Sequence, residues 1–518
     1  MAVRSVAVNR VPGFGAAILV AALVLGTLLA VVLRAESGRG LGPADWSAVR
    51  FTIAQALVSA VLSVALAVPV ARALSRRAFR GRYVLVTLLG APFILPVIVA
   101  VLGLLTVFGR NGWISQVLGL AGLPPLSVYG FHGVVLAHVF FNLPLATRLI
   151  LQGWQDIPAE RFRLAAQLGF GAGDTARVLE RPMLASILPG AFALVFAICL
   201  TSFAVALTLG GGPKATTIEL AIYQAFRFDF DLGRAALLAS LQIGLAGIAA
   251  SVALRFSGSG GFGAGLDRVM PRWDANAHWI RTQDGMVILL AALFLVVPLV
   301  AVVLAGVRGF GLIGYGVYYA AFLSIAVALF STTILLLLAL PLAATIAVSR
   351  RGLVEIVGVL GLAASPLVIG TGLFIILFPI VDPFALALPV TALVNAILAL
   401  PFAVRILVPG LRDVVKSFGP LAQSLDLRGW ALWRIVILPR MRRQIGFAAG
   451  LGAALSMGDL GVIALFADPE MATLPLQMYR LMGAYQMEAA AGAGLLLLML
   501  SLALFWLFDQ GGRWRAET

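Results

Sequence analysis

Residues 317–348 read Val317-Tyr-Tyr-Ala-Ala-Phe-Leu-Ser-Ile-Ala-Val-Ala-Leu-Phe-Ser-Thr-Thr-Ile-Leu-Leu-Leu-Leu-Ala-Leu-Pro-Leu-Ala-Ala-Thr-Ile-Ala-Val348, without one charged side chain. A hydrocarbon core of about 30 Å is crossed by about 20 apolar helical residues, so this run is long enough to span a bilayer. Eleven similar runs accompany it: 15–33, 52–74, 84–108, 131–152, 187–209, 232–254, 285–306, 353–378, 385–408, 443–466 and 487–508. The chain of 518 residues is 61% hydrophobic and 11% charged, with a mean hydropathy of +1.04. A soluble domain carries roughly 25% Asp, Glu, Lys and Arg. The expectation is an all-α polytopic membrane protein with twelve transmembrane helices. The first run follows Arg4 and Arg10 but is longer than the roughly 7 to 15 apolar residues of a signal peptide, so it reads as a retained helix.

The 37 basic and 22 acidic residues leave a formal charge of +15. No segment forms the basic domain of a nucleic-acid binder, so the charge is read as topology. With the N-terminus inside, the cytoplasmic segments hold 28 Lys and Arg and the opposite loops hold 9. Retention of basic loops on the cytoplasmic side produces this asymmetry. It predicts both termini in the cytoplasm. Cys199, the single cysteine, lies in an apolar run and reads as a packed thiol.

The halves repeat one another. Pro144, Arg148, Asp156 and Pro182 recur as Pro401, Arg405, Asp413 and Pro439 at a spacing of 257; Thr217 and Tyr223 recur as Thr473 and Tyr479 at 256; Pro69 recurs as Pro341 at 272. Two fused six-helix units follow, 1–254 and 285–518, and an even helix number gives them the same orientation. Residues 255–284, with Gly258, Gly260, Gly261, Gly263 and Gly265 beside Arg268, Pro271 and Arg272, read as a cytoplasmic linker.

Each unit has a long internal loop between its fourth and fifth helices. The first runs from Asp156 through Arg163-Leu-Ala-Ala-Gln-Leu-Gly169 to Leu179-Glu-Arg-Pro182, the second from Asp413 through Ala422-Gln-Ser-Leu-Asp426 to Ile437-Leu-Pro439. Each predicts a short helix with an apolar side, a turn, and a basic helix entering the membrane. Such a surface helix either lies on lipid or fills a groove on a partner. These loops resemble the cytoplasmic signature of ABC importer permeases: Glu-Ala-Ala, three residues, Gly, nine residues, Ile-x-Leu-Pro. Ala165, Gly169, Leu179 and Pro182 fall on the pattern, with Arg163 in the Glu position and Ala166 following. In the second loop Ala422, Leu438 and Pro439 fit, Gln423 follows Ala422, and Pro420 and Asp426 replace Glu and Gly. The resemblance implies a type I ABC importer permease of two parallel six-helix repeats, whose short helices dock into two ATPase subunits. Neither Lys214 nor Lys416 sits in a Gly-x4-Gly-Lys-[Ser/Thr] loop, so ATP hydrolysis is expected on a partner and no cofactor on this chain.

Leu136-Ala-His-Val-Phe-Phe-Asn-Leu-Pro144, Ala165-Ala-Gln-Leu-Gly169 and Leu209-Gly-Gly-Gly-Pro-Lys-Ala-Thr-Thr-Ile-Glu-Leu-Ala-Ile-Tyr-Gln224 resemble the fused permeases of bacterial thiamine and thiamine pyrophosphate importers. That resemblance extends over essentially the whole chain. It implies a bacterial inner-membrane location and an extracytoplasmic substrate-binding protein as a further partner. Thr216 and Glu219 have capping-box spacing for a short external helix carrying Tyr223 and Phe226, with Phe228 and Phe230 beyond. These aromatics suit either the membrane interface or contact with the binding protein or substrate.

Asp459 is the ionisable residue that stands out inside a span, and its repeat counterpart falls at Ser202 and Phe203. A carboxylate at bilayer depth faces a cavity or a partner. Asp459, Ser202 and Phe203 are therefore candidates for a translocation path, where the acid suits the thiazolium cation; a helix-packing hydrogen bond is the other use. His132 and His138 stand six apart with no evident third ligand and read as packing residues rather than a metal site. Arg148 and Arg405 read as snorkelling or helix-capping groups. Two other functions fit less well: a ferric iron permease of the same machine, and an ion-coupled carrier, which should show several intramembrane carboxylates.

Overall fold

The computed structural model describes residues 9–36, 40–90, 94–210, 212, 215–256, 272–349, 352–362, 364–466 and 471–513. Among them there are helices and connecting turns and no strand. The first half contains α1 (Val11–Arg34), α2 (Pro43–Arg76), α3 (Arg82–Leu88), α4 (Val97–Phe108), α5 (Trp113–Leu120), α6 (Phe131–Asp156), α7 (Ala159–Gln167), α8 (Ala172–Thr175), α9 (Arg181–Leu200), α10 (Ala204–Leu209), α11 (Ile218–Arg227) and α12 (Leu232–Phe256). The second contains α13 (His278–Gly309), α14 (Tyr315–Val348), α15 (Gly352–Val359), α16 (Pro366–Leu377), α17 (Ala387–Ser424), α18 (Gly429–Leu432), α19 (Leu438–Met457), α20 (Gly461–Phe466), α21 (Leu474–Gly483) and α22 (Met487–Arg513).

Among the described residues, 11 helical stretches are long and apolar enough to cross a membrane, and Pro366–Leu377 is a shorter apolar helix. The ninth expected crossing, 353–378, is not one helix but α15, a 3-10 turn and α16. Pro366 has no amide hydrogen to continue a preceding helix, so it opens a new one, capped by Ser365 Oγ, which accepts from Val368 N at 3.1 Å.

Polarity within the crossings is inverted relative to a soluble bundle. On α14, Tyr318, Phe322, Leu329, Phe330 and Leu337 are exposed, while Ser324, Ser331, Thr332 and Thr345 are buried. Lipid solvates the large apolar face, so helix association rests on small residues and interhelical hydrogen bonds. A Cβ on Gly309 of α13 would collide with the Glu488 carbonyl of α22, and Gly492 meets Gly309 in return. The first helix of each half reaches across to the other half: α1 packs on α14 and α16, and α13 on α2 and α4.

Matched hydrogen bonds hold α11 and α21. Thr52 Oγ1 on α2 accepts from Ile218 N at 2.9 Å, and Ser324 Oγ on α14 accepts from Leu474 N at 2.7 Å. Replacing Thr52 by Val or Ser324 by Ala leaves a buried amide unpaired, at a cost of about 1–3 kcal/mol each. Thermal unfolding in detergent should therefore move to lower temperature for either variant and further for both.

Two expectations change, and a third lies partly outside the described residues. Residues 257–271 of the expected linker, with Gly258, Gly260, Gly261, Gly263, Gly265, Arg268 and Pro271, lie outside the described residues; its remainder includes the end of α12, the turn Trp273–Ala275 and the start of α13. The docking segment of the second internal loop is not a separate short helix, because α17 continues to Ser424. The first loop breaks at Pro158, the N-cap of α7, whereas Val415 stands at the matching place and lets the helix run on. The cap of α11 is Thr217, whose side chain accepts from Leu220 N at 3.2 Å, one residue beyond the expected Thr216. Thr216 Oγ1 instead donates to the Gly212 carbonyl, and Glu219 is buried within the helix. Arg4, Lys214, Arg350 and Arg351 also lie outside the described residues.

Candidate functional site: a cavity at four helix breaks

Four crossings are interrupted at one level. α3 gives way to α4 around Pro96 and α15 to α16 around Pro366; α9 gives way to α10 through Thr201–Phe203, and α19 to α20 through Gly458–Leu460. All four interruptions contribute to the lining of one cavity of about 600 Å³. Non-helical backbone at this depth is tolerated where it lines a cavity or finds polar neighbours. At the end of α9, Gln55 Nε2 donates to the Cys199 carbonyl and Gln242 Nε2 to the Leu200 carbonyl, both at 2.9 Å. Neighbouring helices thus supply the donors that the broken helix lacks.

Asp459, Ser202 and Phe203 all lie in the cavity lining. Asp459 Oδ1 accepts from Gly461 N at 3.1 Å, and Oδ2 is buried without a hydrogen-bond partner. The carboxyl thus caps α20 with one oxygen and also has the Asn395 side chain acting on it, while Oδ2 accepts no hydrogen bond among the described residues. His138 and Asn142 extend the polar wall: His138 Nδ1 is 3.4 Å from Ser59 Oγ, and Asn142 Nδ2 donates to the His138 carbonyl at 2.9 Å. Cys199 is buried, with Asn142 Nδ2 at 3.4 Å from its sulfur. His132 is apart from this group, its Nε2 2.8 Å from the Ser127 carbonyl oxygen.

From the sequence Arg405 has a snorkelling or helix-capping role rather than a place at the cavity. In the fold it lines the cavity, whereas its counterpart Arg148 lies against Gly90. Phe141, Asn142 and Phe402 were not singled out. Pro96, Pro366, Gly458 and Gly461 inside otherwise apolar runs were the available signal, since Pro and Gly interrupt spanning helices near binding sites.

The four aromatics around α11 divide between inside and outside. Tyr223 meets Phe203 edge-on at 5.4 Å and Phe226 packs edge-on to Phe374 at 4.5 Å, while Phe228 and Phe230 are exposed. Phe374 of α16 also contacts Phe378, Phe384 and Phe466 at 5.4, 5.8 and 5.9 Å. This cluster joins the first half to the second at the end of α16 farther from the cavity.

At the internal loops Ala165 and Ala422 are buried, whereas Arg163, Ala166, Gly169, Gln423 and Asp426 are exposed. Leu164 and Leu168 are 55% and 63% exposed, and Leu421 and Leu425, 257 residues later, are 56% and 62% exposed. The turns match as well: Gly169 has φ +72° and Asp426 φ +47°. Asp is among the few side chains that tolerate this left-handed conformation, which explains how it replaces Gly. Single π-helical turns follow at 176–180 and 433–437, and Pro182 and Pro439 each sit in the first turn of the next helix.

Broken spanning helices around a cavity, with α7 and the end of α17 each presenting an exposed leucine pair, define a polytopic membrane transport permease. No family model matches the chain. It is 38% identical over 529 residues to the thiamine transport system permease protein ThiP of Brucella abortus (99% of this chain, 97% of that protein), and 39% identical over 515 residues to that of Salmonella typhimurium (96% of each). A probable sulfate transport system permease protein, cysT, of a Helicosporidium species matches 39% of this chain and 75% of its own length at 26% identity. The chain belongs to the ThiP family of thiamine ABC transport permeases, multi-pass proteins of the inner membrane.

Proposed function

We propose that this chain carries thiamine, and thiamine pyrophosphate, into the cytoplasm by alternating access. The reading rests first on the central cavity, where the unengaged Asp459 Oδ2 is suited to a thiazolium cation. Phe141, Phe203 and Phe402 add apolar faces for aromatic rings, and Arg405 brings a guanidinium of the kind that binds phosphate. Two ATPase subunits dock on the internal loops, each contacting one exposed leucine pair, and an extracytoplasmic binding protein delivers the substrate. ATP drives the cycle because the docked ATPase pair closes and reopens with its nucleotide, and its closed and open forms favour different access states. Residues 1–254 and 285–518 are two like-oriented six-helix units joined by the cytoplasmic segment 255–284, with both termini in the cytoplasm. The match of a large part of a single sulfate permease to well under half of this chain supports that division.

Asp459→Asn tests the path. Asn also caps helices, so α20 keeps its start while the charge is removed. The thiazolium nitrogen carries no hydrogen, so the carboxylate acts on it as an ion pair; loss of about 1.4 kcal/mol of that attraction lowers thiamine uptake by the reconstituted complex about tenfold, while the ATPase still co-purifies. Undiminished uptake would remove Asp459 from the path.

A further inference from the structure

We propose that Arg272–Ala275, the described segment leading into α13, is a strap that fixes the first docking helix, α7, to the inner end of α2 and to the second half. The strap makes the two ATPase-docking loops mechanically unequal. This inference rests on the docking reading given above.

The Arg272 side chain is only 2% exposed. Its Nη2 donates to Glu180 Oε1 at 3.0 Å, and its Nε and Nη2 bind the two oxygens of Asp274 at 2.7 Å each. Its guanidinium carbon lies 4.9 Å from the ring centre of Phe162 on α7. The next residue, Trp273, donates Nε1–H to the Phe170 carbonyl at 2.9 Å, immediately after the Gly169 turn. Glu180, at the end of the π-helical turn, also pairs with Arg72 at 2.7 Å and Arg76 at 3.2 Å on α2. Arg77 completes the attachment, donating to the Ala275 carbonyl at 2.6 Å and to Asp284 of α13 at 2.8 Å.

Burial acts to raise the Asp274 pKa, but the bonds and charge of Arg272 outweigh it and hold the carboxyl below its usual range. Its contribution to stability is therefore complete above the ordinary Asp pKa and is lost only as pH falls through the lowered value. At neutral pH the strap is closed.

Among the described residues the second loop has no matching ion-pair network; its tie is a cation–π contact within the second half, with Arg440 of α19 3.9 Å from the ring centre of Phe418. At the repeat spacings Glu180 corresponds to Ile437, Phe162 to Gly419, Phe170 to Leu427, and Arg72 and Arg76 to Ala344 and Val348. Motion at α7 thus passes through a charge-assisted, bidentate network to both halves. Motion at the corresponding part of α17 passes along its own helix into the tenth crossing and, through Phe418 and Arg440, to α19, all within the second half.

Hydrogen–deuterium exchange on the full-length chain in nanodiscs tests the strap without any ATPase. Arg272→Ala removes the ion pairs, and Trp273→Phe removes a single N–H as the milder variant. In both, exchange of residues 159–170 should rise about tenfold, reflecting easier local opening, while residues 416–427 stay at the wild-type rate. Unchanged exchange at 159–170 in the Trp273→Phe variant, or an equal rise in both loops, overturns the strap. In the complex, both variants should keep the ATPase bound but transport about fivefold less substrate per ATP hydrolysed. An unchanged ratio overturns the inequality of the loops. Failure of the wild-type chain to retain an ATPase would overturn the docking reading itself, while the exchange measurement still decides the strap.

Discussion

Leu164→Asp with Leu168→Asp, or Leu421→Asp with Leu425→Asp, is expected to abolish association with the ATPase subunits. Each leucine is more than half exposed in the permease, so the substitutions remove little internal packing and should leave the melting temperature nearly unchanged. In a docked state each buried leucine contributes about 1.5–3 kcal/mol, so a pair contributes about 3–6 kcal/mol before the cost of burying a carboxylate is added. That weakens binding by at least about a hundredfold. Titration of purified ATPase onto the reconstituted permease measures the change directly. Either pair proving dispensable would defeat the two-site grip.

Phe374→Ala is expected to give the largest loss of stability. Phe374 is fully buried and touches four other phenylalanines, one from the first half and three from the second. Truncation of a buried Phe costs about 3–5 kcal/mol. Lipid reduces the solvent-transfer part of that cost, but packing remains the force that joins helices in a bilayer. Because the cluster fastens the two halves together, leakage of small solutes should rise as the melting temperature falls. The conservative Phe374→Leu substitution should recover most of both properties. A melting temperature unchanged in the alanine variant would show that the halves are fastened elsewhere.

The sequence made the all-α membrane class and most of the spans legible because both depend on composition. Average hydropathy placed a crossing at 353–378 but carries no information on whether backbone hydrogen bonding continues through it; that depended on Ser365 and Pro366. For the same reason the helix breaks around the cavity were not anticipated. Asp459 was identifiable because a carboxylate in an apolar run is conspicuous. Arg405 was not, because an arginine near a helix end also suits the lipid interface, and only the fold places it in the lining. The reading of the second internal loop failed at one position: Val415 in place of Pro158 joins the docking segment to the crossing before it. The strap could not be read from pattern, since its contacts join residues about a hundred or two hundred positions apart.

The crossing of α1 onto α14 and α16 has a consequence for biogenesis. α1 is synthesised before α14 and α16, so of its final partners only α12 is made within the first half. During synthesis it has to wait in lipid with its small-residue face, including Gly13, uncovered. The two halves therefore cannot mature one after the other as finished modules, and the last stage of assembly is a mutual embrace.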